Sequence, residues 1–268
     1  MAIVTLISDM GNTGFYIPAL KGVILTQSPD MTIIDISHSI NSFDLAETAY
    51  ILKNTWYNFP KGTAHIIAVD TNPTADTKQI CIRYQDHYFI GADNGVFSLI
   101  FDSKPEDVFE LKIQQDSDIF TFPAKNIFAK AAAYLAAGGT PELIGRKTDD
   151  DLKAIDDFRP ITEDNSIVAR IIFVDNYGNV ITNLTRGVFN TVSKGRDFII
   201  SFNKADLDIR KISKQYNDVK QAKSVAFFNS TGNLEIALNR ATNTNGGGAS
   251  QLFGLSVGKS IKIKFNVN

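Results

Sequence analysis

Thr63-Ala64-His65-Ile66-Ile67-Ala68-Val69-Asp70 decides the fold. It is a continuous apolar run of strand length that ends on a carboxylate. An apolar run without alternation belongs to a strand covered on both faces, the condition of a parallel or mixed sheet under helices. The neighbouring segments agree. Ile3 to Ser8 is a second such run, a helical pattern follows from about Phe15 to Thr26 with Pro18 tolerable in its first turn, and Met31 to Ser37 is again strand-like. A helix is expected from Ser42 to about Trp56, with Ser42 as cap and Asp44 in the first turn. Gln79–Tyr84 and His87–Ile90 flank Gln85-Asp86 as a tight hairpin, and the Ala-rich stretch Ala124–Ala137 reads as a helix stopped by Gly138-Gly139.

From Ile167 onward strand-like runs dominate: Val168–Val174, Asn179–Leu184, Phe198–Phe202, Val225–Asn229, Leu234–Leu238 and Ile261–Phe265. The expectation is an α/β domain over residues 1–146, a charged linker over 147–165, and a smaller all-β, barrel-like domain over 166–268. The stretch Asn243 to Gly248 is only weakly a phosphate cradle, since no strand–loop–helix with a following Lys surrounds it; a mobile loop is the competing reading.

With 268 residues, 44% hydrophobic and 21% charged, the composition is that of a soluble globular protein. A net charge of −2 argues against nucleic acid as main partner. No apolar stretch approaches the roughly 20 residues of a membrane span. The N-terminus carries no signal pattern, so a cytoplasmic location is expected. Cys81 is the only cysteine and lies in an alternating strand run, where a buried thiol is expected. The three histidines, His38, His65 and His87, have no metal-ligand spacing; His65 should be internal and His87 exposed.

In open α/β sheets ligands collect beyond the carboxyl ends of the strands. Asp9 and Asp70 stand at two such ends. Asp9 can accept two hydrogen bonds, as a ribose diol requires, although capping a helix is the competing role; Asp70 could equally cap a turn. Asp175 to Asn179 ends another strand in an Asx-type turn, which an ordinary hairpin would also explain.

Taken in order, Asp9-Met10-Gly11, Lys21-Gly22, Asp35-Ile36-Ser37-His38, Asp93-Asn94-Gly95, Asp175-x-Tyr-Gly-Asn-x-Ile-Thr-Asn183, Tyr216-x-Asp-Val219 and Asn229-Ser-x-Gly-x-Leu-Glu-Ile-Ala237 resemble the S-adenosylmethionine hydroxide adenosyltransferase family, relatives of the fluorinase and chlorinase. The resemblance covers nearly the whole chain. It implies a homotrimer with S-adenosylmethionine between the N-terminal domain of one subunit and the C-terminal domain of its neighbour, and no further cofactor. By match, Asp9 would hold the ribose hydroxyls and Phe43 would supply a pocket aromatic. Asn179 and the backbone near Arg240 would read the adenine edge, with Tyr177 and Tyr216 on the ring. Asp175 and Ser230 would address the methionine amino and carboxylate groups.

The same resemblance exposes departures. Of the Asp, Arg and His that position water in the hydrolases, Asp70 matches the Asp, Thr77 stands at the Arg position beside Lys78, and Pro123 at the His position. Gly14 replaces an Asp that helps hold methionine. Proline cannot transfer a proton. The halogenases' serine donor falls on Ala124 and their aromatic on Asp70, whose charge would repel a halide. The expectation is hydrolysis of S-adenosylmethionine to adenosine and methionine, Asp70 orienting water and Lys78 or Lys125 standing in for the missing cation; the alternative is a binding protein that has lost turnover.

Overall fold

The computed structural model describes residues 2–72, 74, 76–114, 121–155, 158–202, 207–241 and 247–266. The chain forms two compact units, residues 1–155 and 156–268.

In the first unit β1 (Ile3–Ser8), β2 (Thr32–Ser37), β3 (Ala64–Ala68), β4 (Gln79–Tyr84), β5 (His87–Ala92), β6 (Asp107–Leu111) and β7 (Gly145–Thr148) make one sheet in the order β2-β1-β3-β5-β4-β6-β7. β1, β2, β3 and β5 run parallel, and β4, β6 and β7 complete the sheet antiparallel, so it is mixed. The apolar runs of β1 and β3 have their cause in the layers. Leu6 and Ile66 face the cluster made with Leu20, Ile24 and Phe128, whereas Ile7 and Ile67 face the one made with Leu52, Trp56, Phe89 and Phe97. Successive side chains point to opposite faces, and both faces here are covered. Helices α1 (Tyr16–Gln27) and α4 (Ala129–Ala136) serve the first face, α2 (Leu45–Lys53) and α3 (Val96–Ile100) the second. The alanines at 129, 131, 132 and 133 are buried, their small side chains letting α4 lie close to the sheet. A π-helical turn, Ala124–Phe128, leads into it.

In the second unit β9 (Ser166–Val174), β10 (Val180–Thr185), β11 (Phe198–Ser201), β12 (Ser224–Phe228), β13 (Asn233–Leu238) and β14 (Ser260–Phe265) form an antiparallel sheet in the order β11-β14-β9-β10-β13-β12, with β8 (Ile161–Glu163) paired to β9. Ile167, Ile171, Val180, Leu234, Ile236 and Ile263 fill its core. The short helices α5 (Arg186–Ser193) and α6 (Ala249–Phe253) were not legible as periodicity.

Two expectations need correction. Asp44, not Ser42, caps α2, accepting a hydrogen bond from Glu47 N–H at 2.9 Å. His87 is buried, 3% exposed, beneath Trp56. The expected linker 147–165 begins in β7 and ends beyond β8, and Lys153 N–H and Ile155 N–H donate to Asp93 and Ser98 of the first unit. Residues 149–155, between these strands, belong to no helix or strand, and the boundary between the two units falls after Ile155. Of the loop Asn243–Gly248, residues 243–246 lie outside the described residues; Gly248 is buried and opens α6.

Candidate functional site

The parallel strands of the first unit bring Asp9 and Asp70 to one edge of the sheet. Asp9 follows β1 and is half-buried; Phe43 N–H donates to its Oδ2 at 2.9 Å. Phe43 adopts a left-handed backbone (φ 64°) with its ring 65% exposed. Gly11 N–H donates to His38 O at 2.8 Å, tying the loop after β1 to the end of β2. Beneath the loop, Ser8 Oγ lies 2.7 Å from His38 Nδ1, His38 Nε2 lies 3.1 Å from Asp35 Oδ1, and Lys21 Nζ is 2.6 Å from Asp35 Oδ2. Burial opposes the Asp35 charge, but Lys21 and His38 outweigh it and hold the carboxyl below its ordinary range. The order serine–histidine–aspartate is that of a nucleophile relay, yet Ser8 is 1% exposed and its hydroxyl receives Met10 N–H, so the chain braces the loop.

Asp70 lies two residues beyond β3, half-buried, with φ 48°. A left-handed aspartate stores strain of order 1 kcal/mol, a condition found disproportionately at working sites. Asn94 Nδ2 holds the backbone by donating to Val69 O and Asp70 O. Among the described residues the Asp70 carboxylate has no hydrogen-bond partner. Of the lysines expected to face it, Lys78 Nζ pairs with Asp150 Oδ2 at 2.6 Å, which raises its pKa, and Lys125 Nζ sits 5.9 Å from the centre of the Phe122 ring. Thr77 Oγ1 receives the Thr74 hydroxyl. Pro123 is buried at the start of the π-helical turn.

In the second unit a cleft of about 620 Å³ is lined by Tyr177, Asn179, Tyr216, Leu238, Asn239, Arg240 and their neighbours. Asp175 builds its rim. Its Oδ1 accepts Tyr177 N–H (2.9 Å) and Asn179 N–H (2.8 Å), its Oδ2 accepts Asn179 Nδ2 (2.9 Å), and Gly178 supplies the left-handed residue (φ 77°) that closes the turn. The Tyr216 hydroxyl donates to Glu235 Oε1 at 2.6 Å, and Asn229 Nδ2 donates to Glu235 Oε2 at 3.1 Å. Burial drives the Glu235 pKa up against the pull of Tyr216 and Asn229, with the Asp175 charge reinforcing the rise; Tyr216 is raised by its own burial and by Glu235. Asn239 is 5% exposed, donates Nδ2 to Val219 O at 2.7 Å, and among the described residues has no partner for Oδ1. Arg240 follows with φ 56° and an exposed side chain.

Tyr177, Asn179, Tyr216 and Arg240 thus gather at one cleft, with Asp175 hydrogen-bonded to Asn179 beside it. Ser230 is exposed in the turn between β12 and β13, outside its wall. Glu235 and Asn239 were missed by sequence reasoning; the available signal was a carboxylate inside the apolar run of β13. Among the described residues no group of His, Cys, Asp and Glu could hold a metal ion.

Residues 4–145 match the family model of the SAM hydroxide adenosyltransferase N-terminal domain, and residues 169–262 that of the C-terminal domain. The chain belongs to the SAM hydroxide adenosyltransferase family. Family members similar to it include (R)-S-adenosyl-L-methionine hydrolases of Thermus thermophilus, 26% identical over 96% of this chain and 97% of the relative, and of Methanocaldococcus jannaschii, 28% identical over 88% of each. A fluorinase of Nocardia brasiliensis is 24% identical over 98% of this chain and 96% of the relative. The crystal structure of an uncharacterized conserved protein from Thermotoga maritima superposes with a TM-score of 0.85 at 26% identity, covering 98% of this chain and 99% of the other.

Proposed function

We propose that the protein binds S-adenosylmethionine and hydrolyses it to adenosine and L-methionine by attack of water on the ribose C5′. The observation that carries the proposal is the cleft of the second unit, where two tyrosines and three asparagines surround a space sized for a nucleoside. Tyr177 and Tyr216 offer faces for a purine ring, Asn179 and the backbone near Arg240 its edge. Asp175 has spent three acceptor positions on its own turn, which leaves one on Oδ2 for an ammonium group. Ser230 is assigned to the methionine carboxylate. In the first unit Asp9 keeps Oδ1 for a ribose hydroxyl, and Phe43 presents an exposed ring.

In the reaction a water oxygen bonds to C5′ as the C5′–sulfur bond breaks, and the bonding pair returns to sulfur to give neutral methionine. The water proton passes to the Asp70 carboxylate or to solvent. The sulfonium is already a good leaving group, so orientation of water by Asp70 is the enzyme's main contribution. Lys78 is left out of this mechanism because Asp150 holds it. The homotrimer and a cytoplasmic location belong to the proposal; among the described residues no helix is long and apolar enough to cross a membrane.

A second reading is a protein that binds the ligand without turnover. Pro123 at the histidine position and the engagement of Lys78 by Asp150 favour it. Incubation with S-adenosylmethionine, with adenosine and methionine followed by chromatography, separates the two. Equimolar products that vanish in Asp70→Asn establish the hydrolase. Binding of adenosine with no product above the spontaneous background establishes the second reading.

A further inference from the structure

Glu235 lies in mid-strand on β13, opposite Ile181 on one side and Phe227 on the other, and is 4% exposed. Its hydrogen-bond partners are a tyrosine hydroxyl and an asparagine amide, neither of them charged. A buried carboxylate without a cation costs stability that an apolar side chain of similar volume would not. The fold gives no reason for it, so the reason has to be sought in what it does to its neighbours.

The orientations in this network are forced. Asn229 Oδ1 receives Thr231 N–H, the Thr231 hydroxyl and Asn233 N–H, so Asn229 can turn only its Nδ2 to Glu235. The other Glu235 oxygen takes the Tyr216 proton. With its proton committed, Tyr216 shows only an acceptor to its surroundings, and Asn179 Nδ2 lies 3.5 Å from the oxygen while donating to Asp175 Oδ2 at 2.9 Å. Asn179 is thereby held with Nδ2 inward, leaving Oδ1 as its remaining polar atom. Asn239, its Nδ2 fixed on Val219 O, contributes a second unpartnered oxygen to the same wall.

We infer that Glu235 is a positioning residue that sets the wall formed by Tyr216, Asn179 and Asn239 to accept hydrogen bonds rather than donate them, so that this wall selects a ring bearing an exocyclic amino group over one bearing an oxo group. The inference rests on the nucleoside reading of the cleft. Glu235 never touches the ligand; it acts by taking one proton out of the cleft.

Glu235→Gln tests this by swapping an acceptor for a donor at constant shape. Because Asn229 cannot turn, the glutamine oxygen must face Asn229 and its NH2 must face Tyr216. The Tyr216 proton is then turned into the cleft, where it opposes an amino donor. Calorimetric titration with adenosine and with inosine is expected to show adenosine preferred by the unaltered protein. The preference falls about tenfold in Glu235→Gln, the scale of one mismatched hydrogen bond. In Tyr216→Phe, which removes the proton at issue, adding Glu235→Gln changes the preference no further. A preference that survives Glu235→Gln, or falls as much in the Tyr216→Phe background, overturns the inference. A ligand-free readout keeps it separate from the nucleoside reading. In Glu235→Gln, ionisation of Tyr216, followed by NMR of its labelled ring, is expected to fall toward the ordinary 10.0. An unchanged Tyr216 titration overturns the positioning role whatever the cleft binds; a normal shift without adenosine binding overturns only the nucleoside reading.

Discussion

His65 should make the first unit acid-labile, by an amount the structure allows to be worked out. The ring is fully buried, with Nδ1 2.7 Å from Thr5 Oγ1 and Nε2 3.1 Å from His87 Nδ1, among the rings of Phe59 and Phe89. Burial, reinforced by His87, depresses its pKa from 6.5 to about 3. The folded protein therefore keeps the ring neutral where the unfolded chain protonates it. The unfolded state binds the extra proton, so stability is intact above pH 6.5 and is lost as pH falls from there toward 3. At about 1.4 kcal/mol per pH unit, the His65 contribution between pH 7 and pH 5 is a loss of about 2 kcal/mol. His87 is displaced in the same direction, chiefly by burial, and adds to the loss. Trp56 is the only tryptophan in the sequence and its ring centre is 5.1 Å from that of His87, so its fluorescence reports the unfolding of this unit. Urea unfolding at pH 7 and pH 5, in the unaltered protein and in His65→Gln, isolates the contribution, because surface carboxylates titrate equally in both. The variant is expected to be less stable at pH 7 and less sensitive to pH by about 2 kcal/mol. Equal pH dependence in the two proteins would refute the reasoning.

Gly248→Ala would drive a Cβ to 2.6 Å from Gly178 Cα and against Tyr177 O, displacing the Asp175–Asn179 turn. The expected cost is about 1–3 kcal/mol of second-unit stability with weakened adenosine binding, read by thermal shift and calorimetry. Asp175→Ala removes three hydrogen bonds at a half-exposed site; about 2 kcal/mol should be lost in thermal unfolding, and adenosine affinity with it. Asp44→Ala leaves Glu47 N–H without its cap and should cost about 1 kcal/mol in urea unfolding followed by Trp56 fluorescence, with nucleoside binding unchanged.

The strands were legible because their cause is local. Leu6 beside Ile7 and Ile66 beside Ile67 can all be apolar only if both faces of the sheet are covered, and that fact is written into adjacent residues. Helices α5 and α6 were not, because each is short and takes its ends from contacts: Thr185 caps the first, and Gly248 starts the second against the backbone of Tyr177 and Gly178. His87 was misjudged for a related reason. A histidine beside a hairpin turn has the local pattern of an exposed residue, and only the arrival of Trp56 buries it.

The functional residues divide along the same line. Asp9, Asp70, Asp175 and Asn179 stand at strand ends or in turns, where polar side chains are ordinary, and the resemblance rather than the local pattern singles them out. Residue type did not reveal allegiance: Lys78 has the chemistry to serve Asp70, and Asp150, far along the chain, claims it. Glu235 and Asn239 were hidden by apolar neighbours, yet they carry the inference about what the cleft selects. A polar atom buried at a cost in free energy persists where its hydrogen bond determines something. Glu235 takes the Tyr216 proton, and Asn239 Oδ1 has no partner among the described residues. Glu235→Gln and the Tyr216→Phe background separate the positioning role from a purely structural one, whether or not the water at Asp70 is ever activated.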